Sequence, residues 1–286
     1  MEILFNADDY GLTRGITDRI LETHDDGVLQ GVSLIANGHA FDYAVAELAR
    51  RPGLLLTVHL NLIEGRALAP AAEIPDLIDA DGYLRHSFVS LWRMHSLLSR
   101  TEKASLGDQV EREMRAQIER IEDAAGKDVP LGFDGHQHTH MIPFVFERLS
   151  ALLAERTPRY VRLPEEPWFV AAPIRHYVGL NPVKHMLLKR LSRRHRGGLA
   201  APTCDAFVGV LHTGGMTVAN VKAALAALKP GAGLVEVLLH PGGASPDESP
   251  LWEHQPWHRD YYFANGRARE SAVLKGAGLR ALLEAS

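Results

Sequence analysis

The sequence predicts an α/β protein with a mainly parallel sheet, either a barrel or an open doubly wound sheet. Short apolar runs alternate with longer amphipathic segments along most of the chain, which is typical of repeated strand and helix units. The composition, 46% hydrophobic and 23% charged, is that of an ordinary globular protein. No glycine-rich phosphate loop follows the first apolar run, which argues against a nucleotide-binding version of this architecture.

The individual elements are predicted from apolar spacing and from the residues that end each segment. Thr13 is placed to cap the first helix and Gly27 to end it. Residues 64–105 contain scattered Gly and Pro and predict a long excursion with some helix, of the kind that often covers a site; a second excursion is expected at 180–205. In chain order, the sequence predicts strands at 3–5, 32–35, 54–62, 132–136, 160–162, 207–211 and 234–239, and helices between 13 and 27, at 41–50, at about 106–125, after 143, around 218–228 and at 267–283.

Charge and cysteine content exclude several classes of protein. The chain has 31 Lys and Arg against 35 Asp and Glu, a formal net charge of −4, so we expect no nucleic-acid partner. Cys204 is the sole cysteine, so any metal must be bound by histidines and carboxylates. The chain shows neither a signal-peptide pattern nor an apolar run near the roughly 20 residues that a membrane span requires. We therefore expect a cytoplasmic protein.

Four polar clusters lie at or just after predicted strand ends, where parallel β/α folds assemble their sites. They are Asp8-Asp9, His59 with Asn61, Asp134 with the segment 136–140, and His240-Pro241-Gly242. Neighbouring side chains of an extended strand point to opposite faces. Asp8 and Asp9 therefore fit either a turn before a helix, or a site in which one carboxylate binds a metal and the other accepts a proton.

The histidines favour a metal site more strongly than the aspartates do. His59 lies in an apolar run and fits either a core position or a ligand. His136, His138 and His140 alternate, so an extended chain would place them on one face. One aspartate with two histidines makes an open three-ligand site. Imidazoles suit zinc, cobalt, nickel or iron, whereas a carboxylate with waters also suits magnesium or manganese.

Other candidate residues carry more than one interpretation each. His240 either lies at a strand-to-turn junction with no catalytic role or acts as an acid that protonates a leaving group. Arg162 holds a substrate anion, orients Asp8 or forms an ordinary salt bridge. The basic segment Lys184–Arg196 is either a solvated helix face or a contact with an anionic membrane or acidic partner. Four aromatic residues either stack on a sugar or pack the C-terminal segment; they are Trp252, Trp257, Tyr261 and Tyr262.

Together the four clusters resemble the YdjC-like carbohydrate deacetylase family, which includes chitooligosaccharide deacetylases. The matching blocks are 6–12, 58–65, 134–140 and 240–242, in the family's order and across most of the chain. The segment Ile74–Asp79 followed by Gly82 resembles the hopanoid-biosynthesis-associated branch. The resemblance implies a single deacetylase domain over 1–286, folded as a distorted (β/α) TIM-like barrel of the glycoside hydrolase/deacetylase type.

The resemblance also implies an activity and the residues that perform it. The expected reaction is hydrolysis of an N-acetyl group on an amino sugar, oligosaccharide or glycolipid, with release of acetate. Asp9, His59 and His136 match the ligands of one divalent metal ion, with Mg²⁺ favoured and Zn²⁺ or another transition metal as the alternative. Asp8 matches the general base and His240 the general acid.

The remaining expectations concern the substrate and partners. Arg162, Asn61 and His138 are expected to bind the substrate. A homodimer and a peripheral contact with a membrane are both left open. Two other functions are also left open: a metal-dependent glycosidase or phosphohydrolase, and a non-catalytic protein that binds a glycan or glycolipid on the same barrel.

Overall fold

Seven parallel strands form the sheet at the centre of the structure, a computed structural model that describes residues 1–171 and 179–284. Their order across the sheet is β5-β4-β3-β2-β1-β7-β6. The predicted parallel α/β architecture is therefore confirmed. The strands are β1 (Glu2–Tyr10), β2 (Gly31–Leu34), β3 (Leu55–Leu60), β4 (Gly132–Gly135), β5 (Tyr160–Val161), β6 (Ala206–Val208) and β7 (Leu234–Leu239).

The helices bury their apolar sides against the sheet or against neighbouring helices. Within the described residues they are α1 (Arg14–Asp25), α2 (Phe41–Leu48), α3 (Phe88–Leu97), α4 (Arg100–Ala125), α5 (Pro143–Leu153), α6 (Leu180–Arg196), α7 (Val218–Ala226), α8 (Pro256–Tyr262), α9 (Asn265–Lys275) and α10 (Ala277–Glu284). The Thr13 hydroxyl caps α1 by accepting a hydrogen bond from Ile16 N, as predicted.

Two predicted helix boundaries differ from the structure. The helix expected at about 106–125 already begins at Arg100, because Ser99 and Glu102 cap its first turn reciprocally. The prediction of a single helix over 267–283 was wrong. The backbone is extended at Gly276 (φ −77°, ψ 151°), which ends α9 before α10 begins.

The expected TIM barrel is not shown, because the sheet of the described residues has seven strands rather than eight. The sheet is nevertheless strongly curved. Arg162 directly follows the edge strand β5, yet its guanidinium contacts Glu236 in β7, near the other edge. A parallel bridge also joins Val161 to Thr203, just before β6. This curvature gathers the carboxyl ends of β1, β3, β4 and β7 around one centre.

The two expected excursions lie on this frame in different ways. After β3, the chain is fixed on α4 by the Glu113 carboxylate, which accepts hydrogen bonds from the backbone of Leu68 and Ala69. The second excursion, 180–205, consists largely of α6. Among the described helices, none combines the length and the apolar character needed to cross a bilayer.

Candidate active site

Asp8 and Asp9 face the same site because the backbone leaves regular strand geometry between them. Asp9 has a φ of 70°, in the left-handed region that residues other than glycine rarely adopt. The pairing of β1 with β2 shifts register at the same place, between Ala7 and Tyr10. As a result, Asp8 Oδ2 and Asp9 Oδ1 each lie 3.8 Å from His59 Nε2. Two adjacent carboxylates thus reach one imidazole.

Three donor atoms from three strand ends converge at this point. His136 Nδ1 lies 3.1 Å from Asp9 Oδ1 and 3.3 Å from His59 Nε2. All three residues are buried. Donor atoms that share one metal ion at about 2.0–2.2 Å, with angles of roughly 90–120° at the ion, are expected about 3–3.8 Å apart. The spacing and the mixed oxygen and nitrogen donors therefore fit a divalent ion bound by Asp9, His59 and His136.

Each of the two histidines is oriented by a carboxylate on its other ring nitrogen. His59 Nδ1 lies 2.5 Å from Asp134 Oδ1, and His136 Nε2 lies 3.2 Å from Glu64 Oε2. Metal-binding histidines are typically held in this way, which leaves the opposite nitrogen free for the metal. Burial lowers the pKa of His136, but hydrogen bonds with Asp9 and Glu64 outweigh burial and raise it to about 10. Burial likewise lowers the pKa of His59, but the charges of Asp134 and Asp8 outweigh burial, so the pKa lies above its ordinary value.

Asp8 lies beside these donors and is held by both of its oxygens. Arg162 Nη1 donates to Asp8 Oδ2 and Arg162 Nη2 to Asp8 Oδ1, each at 2.9 Å. The same guanidinium lies 2.7 Å from Asp134 and 2.6 Å from Glu236. Burial raises the pKa of Asp8, but Arg162 and His59 outweigh it and hold the pKa below its usual range. Asp8 is therefore ionised at neutral pH, as a proton acceptor must be.

Asp9 is fixed by a second buried arginine that the sequence analysis missed. Arg267 Nη2 donates to Asp9 Oδ2 at 2.6 Å, so Oδ1 is the oxygen that faces the histidines. The guanidinium also lies over the ring of Tyr261, 4.4 Å from its centre. Arg267 is 258 positions from Asp9 in the chain and belongs to none of the four sequence clusters. No local signal would have identified it.

Glu64 is a second residue whose role the sequence analysis missed, although it lies within the matching block 58–65. Its carboxylate accepts hydrogen bonds from Trp252 Nε1 at 2.8 Å and from the Tyr262 hydroxyl at 2.7 Å. Both aromatic side chains are buried. Trp252 and Tyr262 therefore hold the carboxylate that orients His136, instead of forming a wall open to a sugar.

The three alternating histidines do not share one face, so this part of the prediction was wrong. Gln137 and His138 have φ values of 49° and 59°, which turn the chain immediately after His136. His140 is directed away from the donors, and its Nε2 donates to the Arg162 carbonyl at 3.0 Å. Burial lowers the pKa of His140 to about 4. The ring of His138 packs edge-on against Phe207.

Two of the residues expected to bind substrate have their polar atoms engaged inside the protein. Asn61 is buried and builds the turn after β3, where its Nδ2 donates to Asn37 Oδ1 and to the Glu64 carbonyl. Arg162 is completely buried among the three carboxylates described above. The structure therefore places Asn61 under the turn that carries Glu64, and Arg162 under Asp8. His138 is half-buried, and its Nδ1 atom is buried.

His240 follows β7 at the more accessible side of the site. Its side chain is 12% exposed, and its backbone N–H donates to Glu270 Oε2 at 2.7 Å. The same carboxylate oxygen lies 3.9 Å from His240 Nδ1. Burial lowers the pKa of His240 below its ordinary value. The charges of Asp9 and Asp8 raise the pKa, but by less than burial lowers it.

Comparisons with known proteins find relatives along most of the chain. The family model described as YdjC-like protein matches residues 2–285. A carbohydrate deacetylase of Danio rerio is 28% identical over 233 residues, which cover 79% of this chain and 71% of the relative. A carbohydrate deacetylase of Homo sapiens is 32% identical over 259 residues, which cover 85% of this chain and 75% of the relative.

A similar fold is also found among crystal structures. A protein of Enterococcus faecalis, described as a cellobiose-phosphate cleavage protein, matches with a TM-score of 0.70 and 19% sequence identity. The match covers 99% of this chain and 94% of that one. At this level of identity, the likeness shows the shared fold alone.

Proposed function

The chain belongs to the YdjC-like protein family, and from this premise we propose that it is a metal-dependent hydrolase that removes the N-acetyl group of an amino sugar. The observation that carries the proposal is the buried set of donor atoms from Asp9, His59 and His136, 3.1–3.8 Å apart, with the ionised Asp8 beside it. The curated relatives named carbohydrate deacetylase support this reaction class.

Asp9, His59 and His136 would hold the divalent ion. When bound, such an ion polarises an amide carbonyl and stabilises the negative charge that develops on its oxygen. One carboxylate and two imidazoles are compatible with Zn²⁺ and other transition metals. The family resemblance favours Mg²⁺, so the identity of the ion is the first variable of the assay.

The residues of the chain itself move the protons. Asp8 accepts a proton from the water that attacks the acetamide carbonyl carbon. His240 donates a proton to the amine nitrogen as the carbon–nitrogen bond breaks, which leaves acetate and a free amino sugar. Because burial lowers the pKa of His240, we expect its imidazole to be neutral before the reaction and to receive the proton that Asp8 has taken from the water, which it then passes to the amine. Arg162 orients Asp8 by holding both carboxylate oxygens.

Substrate contacts are proposed for side chains at the accessible side of the site. For His138 the proposal is the substrate contact expected from the sequence, because its buried Nδ1 has no hydrogen-bond partner within the described part of the chain. Trp257 and Tyr261, one turn apart on α8, are exposed and can stack on a sugar ring. The single domain over 1–286 and the cytoplasmic location stay predictions from the sequence, and a homodimer stays open.

Measurement of acetate release tests the proposed reaction. The purified protein is stripped with a chelator and resupplied separately with Mg²⁺, Mn²⁺, Co²⁺ or Zn²⁺. Substrates are N-acetylglucosamine, its oligomers and glycolipids that carry an acetylated amino sugar. We expect acetate and free amine in equal amounts, lost on chelation and restored by one of the ions.

A pair of variants serves as the control for this assay. Asp8→Asn removes the proposed proton acceptor, whereas Asp42→Asn makes the same chemical change on α2 at a side chain that is 93% exposed. Acetate release should fall sharply in the first variant and stay normal in the second. Release of phosphate or a reducing sugar instead of acetate would assign another hydrolysis. Substrate binding without turnover under any ion would favour a binding protein.

A further inference from the structure

Exposed apolar side chains lie at the start of α6 and at residues 168 and 170. The ring of Trp168 contacts the ring of His185 on α6 edge-on, with centroids 5.5 Å apart, so the two segments are packed together. Clusters of large exposed apolar residues mark interaction surfaces. We call five of these residues the α6 patch: Trp168 (47% exposed), Val170 (71%), Leu180 (65%), Val183 (61%) and Met186 (66%).

The outward side of α6 carries apolar residues in its first turns and arginines in its later turns. At 3.6 residues per turn, Val183 and Met186 share one side of the helix with Arg190 and Arg194. Both arginines are exposed and have no ion-pair partner among the residues that the structure describes. The helix contains no Asp or Glu. One face therefore presents an apolar end and a positively charged end.

We propose that the α6 patch, together with Arg190 and Arg194, docks the protein on an anionic lipid bilayer. Interfacial helices bind in this way, with apolar side chains among the lipid headgroups and basic side chains on the phosphates. A second copy of the chain fits this face less well, because a helix without acidic residues would bring the arginines of two copies together. A nucleic acid would contact the arginines but leave the apolar side chains in water.

The α6 patch lies at the edge of the sheet where the candidate active site is found. The segment that leads to Trp168 starts at Arg162, just after β5. At the start of α6, Asn181 Nδ2 donates to the carbonyl of Leu211, just after β6, at 3.4 Å. Both connections leave the carboxyl ends of strands. A docked bilayer would therefore lie beside the site, where an acetylated sugar carried on a lipid would be within reach; this consequence rests on the proposed function, whereas the docking does not.

Co-sedimentation of the full chain with lipid vesicles tests the docking. We expect binding to vesicles that contain phosphatidylglycerol and phosphatidylcholine, weak binding to phosphatidylcholine alone, and release as salt is added. Arg190→Gln combined with Arg194→Gln should lower the partition coefficient about 25-fold, since each basic residue near an anionic surface contributes about fivefold. The matched control changes two exposed lysines on and after α7, Lys222→Gln with Lys229→Gln, and should bind like the unmodified protein.

A second variant tests the apolar half of the surface. Val183→Ser with Met186→Ser should reduce the partition coefficient about tenfold or more, because two apolar side chains no longer leave water. Both side chains are exposed, so the fold should be retained, and a circular dichroism melt checks this. Vesicles with bromine-labelled acyl chains should also quench tryptophan fluorescence less in Trp168→Phe than in the unmodified protein.

Three outcomes would overturn the lipid assignment. The first is no binding to either kind of vesicle, and the second is unchanged binding of the arginine variant. The third is self-association that disappears in the Val183→Ser, Met186→Ser variant while vesicles do not bind, which would assign the face to a second copy. Acetate release from a soluble substrate is measured in parallel. Normal turnover without vesicle binding rejects only the docking, and vesicle binding without turnover rejects only the proposed function.

Discussion

The chain adopts left-handed backbone both at the end of β1 and just after β4. At β1 this brings polar side chains together, and at β4 it separates them. The residues concerned are other than glycine: Asp9 at φ 70°, and Gln137 and His138 at φ 49° and 59°. At β1 this geometry brings two adjacent carboxylates to one imidazole. At β4 it separates three alternating histidines, of which His136 alone joins the donor set. The spacing of polar residues therefore does not determine which side chains converge; the turn that follows the strand does.

Both turns are held by specific contacts. A left-handed conformation in a residue other than glycine costs about 1–3 kcal/mol and persists where the surroundings enforce it. At β1, Arg267 holds the Asp9 carboxylate. At β4, the chain folds so tightly that a Cβ on Gly135 would lie 2.7 Å from His140 Nδ1. Glycine is therefore required at the end of β4.

The largest expected effect separates the two aspartates of β1. Asp8→Asn should lower turnover about 10²–10⁴-fold, the usual contribution of a general base, while metal binding is retained. Turnover is measured as acetate release, and metal content by isothermal titration calorimetry. Asp9→Asn is the matched comparison and should lose metal affinity as well as turnover. Equal loss of metal in both variants would remove the distinction between the two carboxylates.

The next effect separates the histidines of β4. His136→Gln should weaken metal binding more than about 100-fold, because even residues that only orient a ligand are worth about 10–100-fold. His138→Gln, two positions along the same segment, should leave metal affinity unchanged, since its ring packs on Phe207. Calorimetric titration with the ion found active in the acetate assay measures both. A comparable loss in His138→Gln would mean that the turn does not separate these histidines.

The sequence was sufficient for the parts of the site that depend on local order. The pattern of residues placed four polar clusters at a common edge of the sheet, and the family resemblance selected Asp9, His59 and His136 from them. The capping of α1 by Thr13 was likewise visible, because a cap and its helix are neighbours in the chain.

The residues that hold the site in place could not be inferred. Arg267 reaches Asp9 across 258 positions, and Trp252 reaches Glu64 across 188. Such contacts depend on how the sheet curves and on how the C-terminal helices pack, which periodicity does not report. The curvature itself has no sequence signal either, because a barrel and an open sheet share the same alternation of strands and helices. The contact of Arg162 with Glu236 is what reveals it.

A smaller effect is expected for the carboxylates that orient the two histidines. Asp134→Asn should weaken metal binding about 10–100-fold, because an amide is a poorer partner for His59 Nδ1–H than a carboxylate. Glu64→Gln should have an effect of similar size through His136. Calorimetric titration of each single variant and of the double variant measures both. Unchanged affinity in Glu64→Gln would show that His136 does not need this support.

The smallest expected effect concerns the strain in the turn after β4. Gln137 is exposed and has a left-handed backbone conformation. Its side chain forms no hydrogen bond with the residues that the structure describes. Gln137→Gly should therefore raise the free energy of unfolding by about 0.5–1 kcal/mol. Relief of about 1–2 kcal/mol of steric strain exceeds the roughly 0.5–1 kcal/mol that glycine costs through the entropy of the unfolded chain. Urea unfolding followed by circular dichroism measures the change.

A glycine placed in right-handed backbone distinguishes strain from a general effect of glycine. Glu119→Gly changes an exposed residue inside α4. The backbone there is right-handed, so glycine costs the same entropy but relieves no strain. The variant should therefore lower the free energy of unfolding by about 1 kcal/mol. The opposite signs of the two variants are the critical result. Destabilisation by Gln137→Gly would mean that the left-handed turn carries no strain to relieve. The metal affinity of Gln137→Gly should stay normal, because glycine keeps the turn that separates His136 from His138.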